Sequence, residues 1–379
     1  MLDTGSTLNA PHAPTNLAPW QRVPLLLLGL IALLAGTAAG LVRLGWALPG
    51  AAGAIAMLHG PLMICGFFGV VISLERAVAL ARLWAYAAPL CAGLGTLALL
   101  GGLRQAAPWF YVAGGLVLSA ASLVIVRRQR ALFTCTLALG ALAWLAGSIH
   151  WALGFAVHEA VSWWLAFLVL TIAGERLELS RFLPPSAAAT RVFAGLLVAC
   201  IAGLAGGAHG MQWGGPLFAL SLLGLALWLL RQDVARRTVR AKGLTRFIAI
   251  ALLSGYFWLA VAGAVGLANG GFHPGSAGYD AALHALLIGF VFSMVFGHAP
   301  IILPAVLHVN LPYHPSFYAP LALLHASLVV RLCGDLIGSS EALRVGGVLH
   351  AAALLGFIGN SAFAAWRGKA GTPVVKRGS

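Results

Sequence analysis

Twelve separate stretches of this chain are apolar for long enough to cross roughly 30 Å of hydrocarbon. They lie near residues 24–45, 54–75, 85–103, 108–126, 132–153 and 158–179, then 191–208, 213–230, 245–268, 281–306, 316–337 and 343–365. In lipid, backbone N–H and C=O groups have to be satisfied within the segment itself, so each run is expected as a helix. The expected fold class is therefore all-α: a polytopic membrane protein with twelve transmembrane helices, short loops and both termini on one side. Composition removes the soluble alternatives, because 61% of the 379 residues are hydrophobic and only 8% are charged. The transmembrane domain takes residues 19–366, leaving a polar N-terminal tail (1–18) and a basic C-terminal tail (367–379). The N-terminal tail lacks the basic start of a signal peptide, so the first run is expected to remain as a span.

A net charge of +14 suggests nucleic acid in a soluble protein, but here the question is which loops hold it. With the N-terminus cytoplasmic, 19 of the 23 Lys and Arg residues fall on that side, as retention of basic loops requires. They include Arg22, Arg76, Arg176, Arg181 and the series Arg231, Arg236, Arg237, Arg240, Lys242 and Arg246, followed by the tail residues Arg367, Lys369, Lys376 and Arg377. Only Arg43, Arg104, Arg331 and Arg344 are left for the other side. The basic balance is topological, and no nucleic acid is implied.

That orientation gives the histidines meaning. Spans two, six and ten run from the outer side inward, and each opens with a histidine: His59, His158 and His284. A Glu-Arg pair follows His59 at Glu75-Arg76 and follows His158 at Glu175-Arg176, so these helices read as equivalent members of a four-span repeat. Three such repeats give twelve helices with threefold pseudosymmetry. At about 100° per residue, His59, Met63, Gly66 and Ser73 share one narrow face of small residues, which lets a neighbouring helix or flat macrocycle approach. His150, His209 and His350 also lie near outer ends, and His273 sits in a Gly-rich loop. An imidazole inside hydrocarbon needs a partner, a metal or a haem iron. Several at one depth point to metal, whereas the bland reading is a wet vestibule or a histidine bonded to a backbone carbonyl.

Span ten carries a second histidine, His298, about 21 Å deeper than His284 at 1.5 Å per residue. Pro300 and Pro304 are expected to interrupt the helix there and free carbonyls. His298 has two readings: a partner for those carbonyls, or part of an inner ligand or proton path that His325 joins. Arg331 and Asp335 stand at i, i+4 spacing and are expected to pair. Arg43, Arg331 and Arg344, on the sparsely charged side, ask for an anion such as a haem propionate, which guanidinium binds bidentately. Trp46, Trp109, Trp151, Trp163 and Trp164 are expected to form an outer aromatic belt. The five cysteines lie in apolar runs without CxxC or CxxCH spacing, so they are expected as free packing thiols and no haem is covalently attached. Walker, GxSxG and HExxH motifs are absent.

The stretch His59-Gly60-Pro61-Leu62-Met63 resembles the HGxxM sequence of helix two in haem-copper oxidase catalytic subunits. The paired histidines of that superfamily on helix seven and its close pair on helix ten are missing here, which argues against a standard oxygen reductase. The chain more closely resembles the NnrS family of twelve-span bacterial haem and copper membrane proteins linked to nitric oxide tolerance and denitrification. The resemblance rests on the His59 helix with MICGFFGVVI behind it, and on His284-Ala285-Leu286 with Gly289, Met294 and Gly297-His298. It implies a bacterial inner-membrane protein with non-covalent haem b held by His59 and His284, Met63 nearby, and copper at His158 with His150 or His350. His298 stands as a further candidate ligand. The implied partners are nitric oxide or another diatomic ligand, membrane lipid and an electron donor.

The implied function is nitric oxide metabolism or protection from nitrosative stress. A reductase-like oxidoreductase and a gas-binding protein fit the residues equally. The rival class is a proton-coupled secondary transporter, with a broken helix ten and a histidine relay through His298 and His325.

Overall fold

The computed structural model describes residues 16–48, 53–180 and 185–370. Most of the N-terminal tail, Arg181 and residues 371–379 of the basic tail lie outside the described residues. Among the described residues, twelve helices are long and apolar enough to cross a membrane, as the sequence predicts. They are α1 (Pro19–Arg43), α2 (Ile55–Leu80), α3 (Leu83–Leu100), α4 (Ala107–Arg128), α5 (Leu132–Ala152) and α6 (Val157–Leu179). The second half comprises α7 (Ala187–Ala208), α8 (Gly214–Gln232), α9 (Gly243–Ala268), α10 (Gly278–Leu307), α11 (Pro315–Ile337) and α12 (Ser340–Gly368). Connections are short; α11 and α12 are joined by one tight turn in which Gly338 takes φ +67°, a left-handed conformation that glycine adopts without steric cost. The end of the bundle where α1 begins is the basic face.

Three helices spaced four apart in the chain, α2, α6 and α10, touch one another at the centre. From Trp164 to Gly174 every residue of α6 is buried, as expected of a helix that is apolar all round. The outer helices expose leucine, valine and phenylalanine, for example Leu116, Val198 and Phe257, the side chains that hydrocarbon accepts. Glycine allows close approach between helices: Gly36 on α1 lies beneath the Met63 sulfur, and Gly40 beneath the His59 ring.

Within span two, His59, Met63 and Gly66 all face α1, as the 100° spacing predicts, lying against Gly40, Gly36 and Ala32. A π-helical segment, Leu62–Phe68, follows the first turn of α2, and a second, Ala285–Phe292, follows His284 in α10. Each wider turn re-phases the helix beyond it, and Ser73 there donates to the Gly69 carbonyl of its own helix. π-segments occur preferentially at functional sites. These two meet at the centre, where Phe67 stacks on Phe292 with centroids 5.9 Å apart and Phe68 tilts against the same ring at 5.2 Å.

Further corrections concern side chains. Trp164 is fully buried and Trp151 packs edge-on against it, so of the expected aromatic belt Trp46 and Trp109 are the exposed members. The described cysteines are all free, but Cys135 and Cys333 are exposed rather than packed inside.

Towards the basic face, a buried polar latch joins four elements. Arg176 of α6 grips Asp233, just beyond α8, bidentately, with Nε to Oδ2 at 2.7 Å and Nη2 to Oδ1 at 2.9 Å. The Tyr256 hydroxyl of α9 donates to the same carboxylate at 2.6 Å, and the Ala235 amide donates at 2.7 Å. The third guanidinium nitrogen reaches His298 Nε2 of α10 at 3.4 Å. Nearby, Arg22 Nη1 donates to the Val306 carbonyl at 2.8 Å and ties α1 to the end of α10. Arg76 and Glu175, the ends of the two Glu-Arg helices, approach across α2 and α6 at 3.9 Å.

Burial alone would raise the Asp233 carboxyl, but the Arg176 guanidinium, Tyr256 and the Ala235 amide outweigh it and hold the group below its ordinary value of 3.8. A folded-state value below the unfolded one adds stability that is complete above the unfolded pKa and is lost as pH falls through the folded value. We therefore expect Asp233→Asn, which strands the Arg176 charge, to cost about 3–5 kcal/mol. Thermal unfolding in detergent should show the loss at neutral pH, with the difference from wild type shrinking below about pH 4.

Candidate functional site

At the face opposite the basic one, three helices bring together one buried imidazole and two half-buried ones. His59 stands in the first turns of α2, His284 in the second turn of α10, and His350 ten residues into α12. The His284 and His350 ring centroids are 6.2 Å apart with planes 11° from parallel. His59 lies within electrostatic range of both. Arg331 and Asp280 are charged neighbours of all three rings, and Arg43 is a charged neighbour of His59.

Hydrogen bonds settle which ring atoms are available. His59 Nδ1 lies 2.7 Å from the Gly36 carbonyl, and a carbonyl only accepts, so Nδ1 carries the proton. His284 Nδ1 donates in the same way to the Asp280 carbonyl at 2.8 Å, with the Asp280 carboxylate 3.4 Å away. In its neutral form each of these rings keeps an Nε2 lone pair. His350 is 6% exposed, and its buried Nε2 has no hydrogen-bond partner among the described residues. Metal-ligating histidines commonly donate their second nitrogen to a backbone carbonyl or carboxylate, which fixes the ring.

The arginines divide. Arg331 donates to Asp280 Oδ2 from Nε at 3.1 Å and Nη2 at 2.7 Å. Its partner is thus the aspartate of α10 and not Asp335, the i, i+4 neighbour expected from sequence; Asp335 Oδ2 is buried and has no hydrogen bond among the described residues. Two glycines of α12, Gly346 and Gly347, lie against the Arg331 side chain and let it run between the helices. Arg43 is exposed at the end of α1. Arg344 is exposed on α12, with its guanidinium 4.7 Å over the Trp46 ring, a surface cation–π contact outside the histidine group.

Other candidates are placed elsewhere. His158 is exposed at the start of α6. His150 stacks on Phe155 at 4.0 Å and lies 3.6 Å from Glu159. The structure therefore does not bring His158, His150 and His350 together as a copper set. Among the described residues, no three His, Cys, Asp or Glu side chains stand close enough to hold a bare metal ion. His298 donates from Nδ1 to the Met294 carbonyl at 2.8 Å, and its Nε2 accepts from Arg176; neither nitrogen is left for a metal. His325 accepts from Trp258 Nε1 at 3.0 Å, leaving a buried Nε2 without a partner. Met63 packs its sulfur on Gly36.

Sequence reasoning missed Asp280, although a clue existed: it is one of nine acidic residues and stands one helical turn before His284. Asp233 and Tyr256 were missed as well, because their roles depend on contacts between distant helices.

The fold and this group define the chain as a multi-pass helical membrane protein with three histidines converging at one end of the bundle. It belongs to the family described as a domain of unknown function, DUF8744, whose model matches residues 22–366. No curated protein and no solved structure matches it.

The close approach of α1 gives a direct test. A Cβ on Gly40 would lie 2.9 Å from both Cε1 and Nδ1 of His59, whereas one on Gly195 of α7 would meet nothing within 4 Å. Gly40→Ala is expected to displace the imidazole from Gly36 and cost about 1–3 kcal/mol, while Gly195→Ala keeps or raises the thermal midpoint.

Proposed function

We propose that this chain is a bacterial inner-membrane haem protein of b type, with both termini cytoplasmic, acting in nitric oxide metabolism or protection from nitrosative stress. The observation that carries the reading is the convergence of His59, His284 and His350 with ring nitrogens still available. The resemblance of the His59 and His284 segments to the NnrS family supplies the diatomic gas.

The donor set suits an iron held by two imidazoles better than a bare metal ion, which asks for three or more protein ligands. His284 is the central ligand, with His59 or His350 completing the pair. When bound, the haem would supply one-electron chemistry or, with one position open, a site for a gas. The protein residues position and tune. Gly36 and the Asp280 carbonyl hold the Nδ1 protons, and Asp280 adds negative charge beside His284. Arg331 and Arg43 supply positive charge suited to a carboxylate-bearing group. Copper is not part of this reading, since the residues expected to bind it are dispersed. The transporter alternative relied on a relay through His298 and His325, but these histidines are engaged by Arg176 and Trp258 respectively.

Visible spectra of the detergent-purified protein test the proposal. We expect a sharp b-type band on reduction with dithionite, altered by nitric oxide if a coordination position is open. His284→Ala should abolish haem retention, and whichever of His59→Ala and His350→Ala also does so identifies the second ligand; His158→Ala should retain it. A featureless spectrum from folded protein expressed with ample haem would sink the reading.

A further inference from the structure

The basic face holds a cavity of about 670 Å³ between the end of α6, the start of α7 and the α8–α9 connection. Its described lining includes Arg231, Arg236, Arg237 and Arg240, together with Ser180 and Ser186. We propose that this cavity binds a phosphate-bearing anion, either the headgroup of an anionic phospholipid or a small soluble phosphate compound. The site is independent of the haem reading.

Excess arginine on one side of a membrane protein is expected from topology alone, so charge by itself does not make a site. Three features set this place apart. It is concave and within the size range of small-molecule sites, and a cleft lined by one sign of charge focuses its field on an incoming counter-ion. The acid in its lining, Asp233, is already engaged by Arg176, Tyr256 and the Ala235 amide, so its charge is largely countered. The four cavity arginines, in contrast, are exposed at the rim; Arg236 donates to the Arg231 carbonyl at 3.1 Å, which bends its side chain back over the loop. Ser186 caps α7 by accepting from the Ala189 amide at 3.2 Å, which orients the positive end of that helix dipole at the cavity edge. The planar guanidinium donors match phosphate oxygens in pairs.

The test uses the full-length protein in a non-ionic detergent. Native mass spectrometry measures retention of phosphatidylglycerol against phosphatidylcholine, and titration calorimetry measures binding of inorganic pyrophosphate. Each is applied to wild type, to R237Q/R240Q, and to R127Q/R128Q, a control pair on the exposed end of α4 at the same face. We expect wild type and the control to bind alike and R237Q/R240Q to bind about tenfold more weakly. Selective retention of phosphatidylglycerol assigns the site to lipid, and pyrophosphate binding assigns it to a soluble phosphate. Equal weakening in both variants, or no preference for phosphatidylglycerol together with no pyrophosphate binding, overturns the proposal. Both pairs are exposed, and matched thermal midpoints verify that neither substitution unfolds the protein.

Discussion

Within a helical bundle in lipid, water is not at hand to complete a polar group's hydrogen bonds, and most of this structure follows from that. Each backbone segment folds as a helix because helical bonds are the ones it can make alone. Several imidazoles inside the bundle are then turned so that a nitrogen meets a protein partner. His59 finds the Gly36 carbonyl, His284 the carbonyl of Asp280, and His298 both Met294 and Arg176. These bonds decide which nitrogen remains available, and so which histidines can hold a cofactor.

The two ends of the bundle solve this problem differently. Towards the basic face, Arg176, Asp233, Tyr256 and His298 satisfy one another, and a carboxylate with four donors is a closed network. Such a network specifies how α6, α9 and α10 meet, because losing any member strands the others. At the opposite face the network is left open: Arg331 and Asp280 pair, but the buried His350 Nε2 has no partner among the described residues. An open polar group in that setting is costly unless something binds there. Helix α10 belongs to both ends, with His284 above its π-segment and His298 below it. The π-segments of α2 and α10 meet through Phe67, Phe68 and Phe292 at the point where the two regions join.

Much of the architecture was legible in the sequence. Twelve apolar runs specify twelve helices through length and hydrogen bonding alone. His59 and His284 stood out because an imidazole among leucines and glycines is unfavourable unless it faces the interior, and both do. His158 shares the same position in the repeat, yet it lies exposed, since a residue at the first turn of a span can remain at the surface. Span length and residue type do not distinguish these outcomes.

What the sequence determined by itself was local: which segments span, where basic residues gather, and which polar residues enter the hydrocarbon. What tertiary structure decided was pairing. Arg331 has Asp335 one turn away on its own helix but bonds to Asp280, 51 residues away, because α10 packs against α11 and presents its carboxylate there. His350 joins His284 only because α12 folds back along α11. The π-segments alter helical phase by a fraction of a turn, a change that residue spacing does not record. Partner choice in a membrane bundle depends on which helices touch, and that follows from the packing of all twelve rather than from any single span.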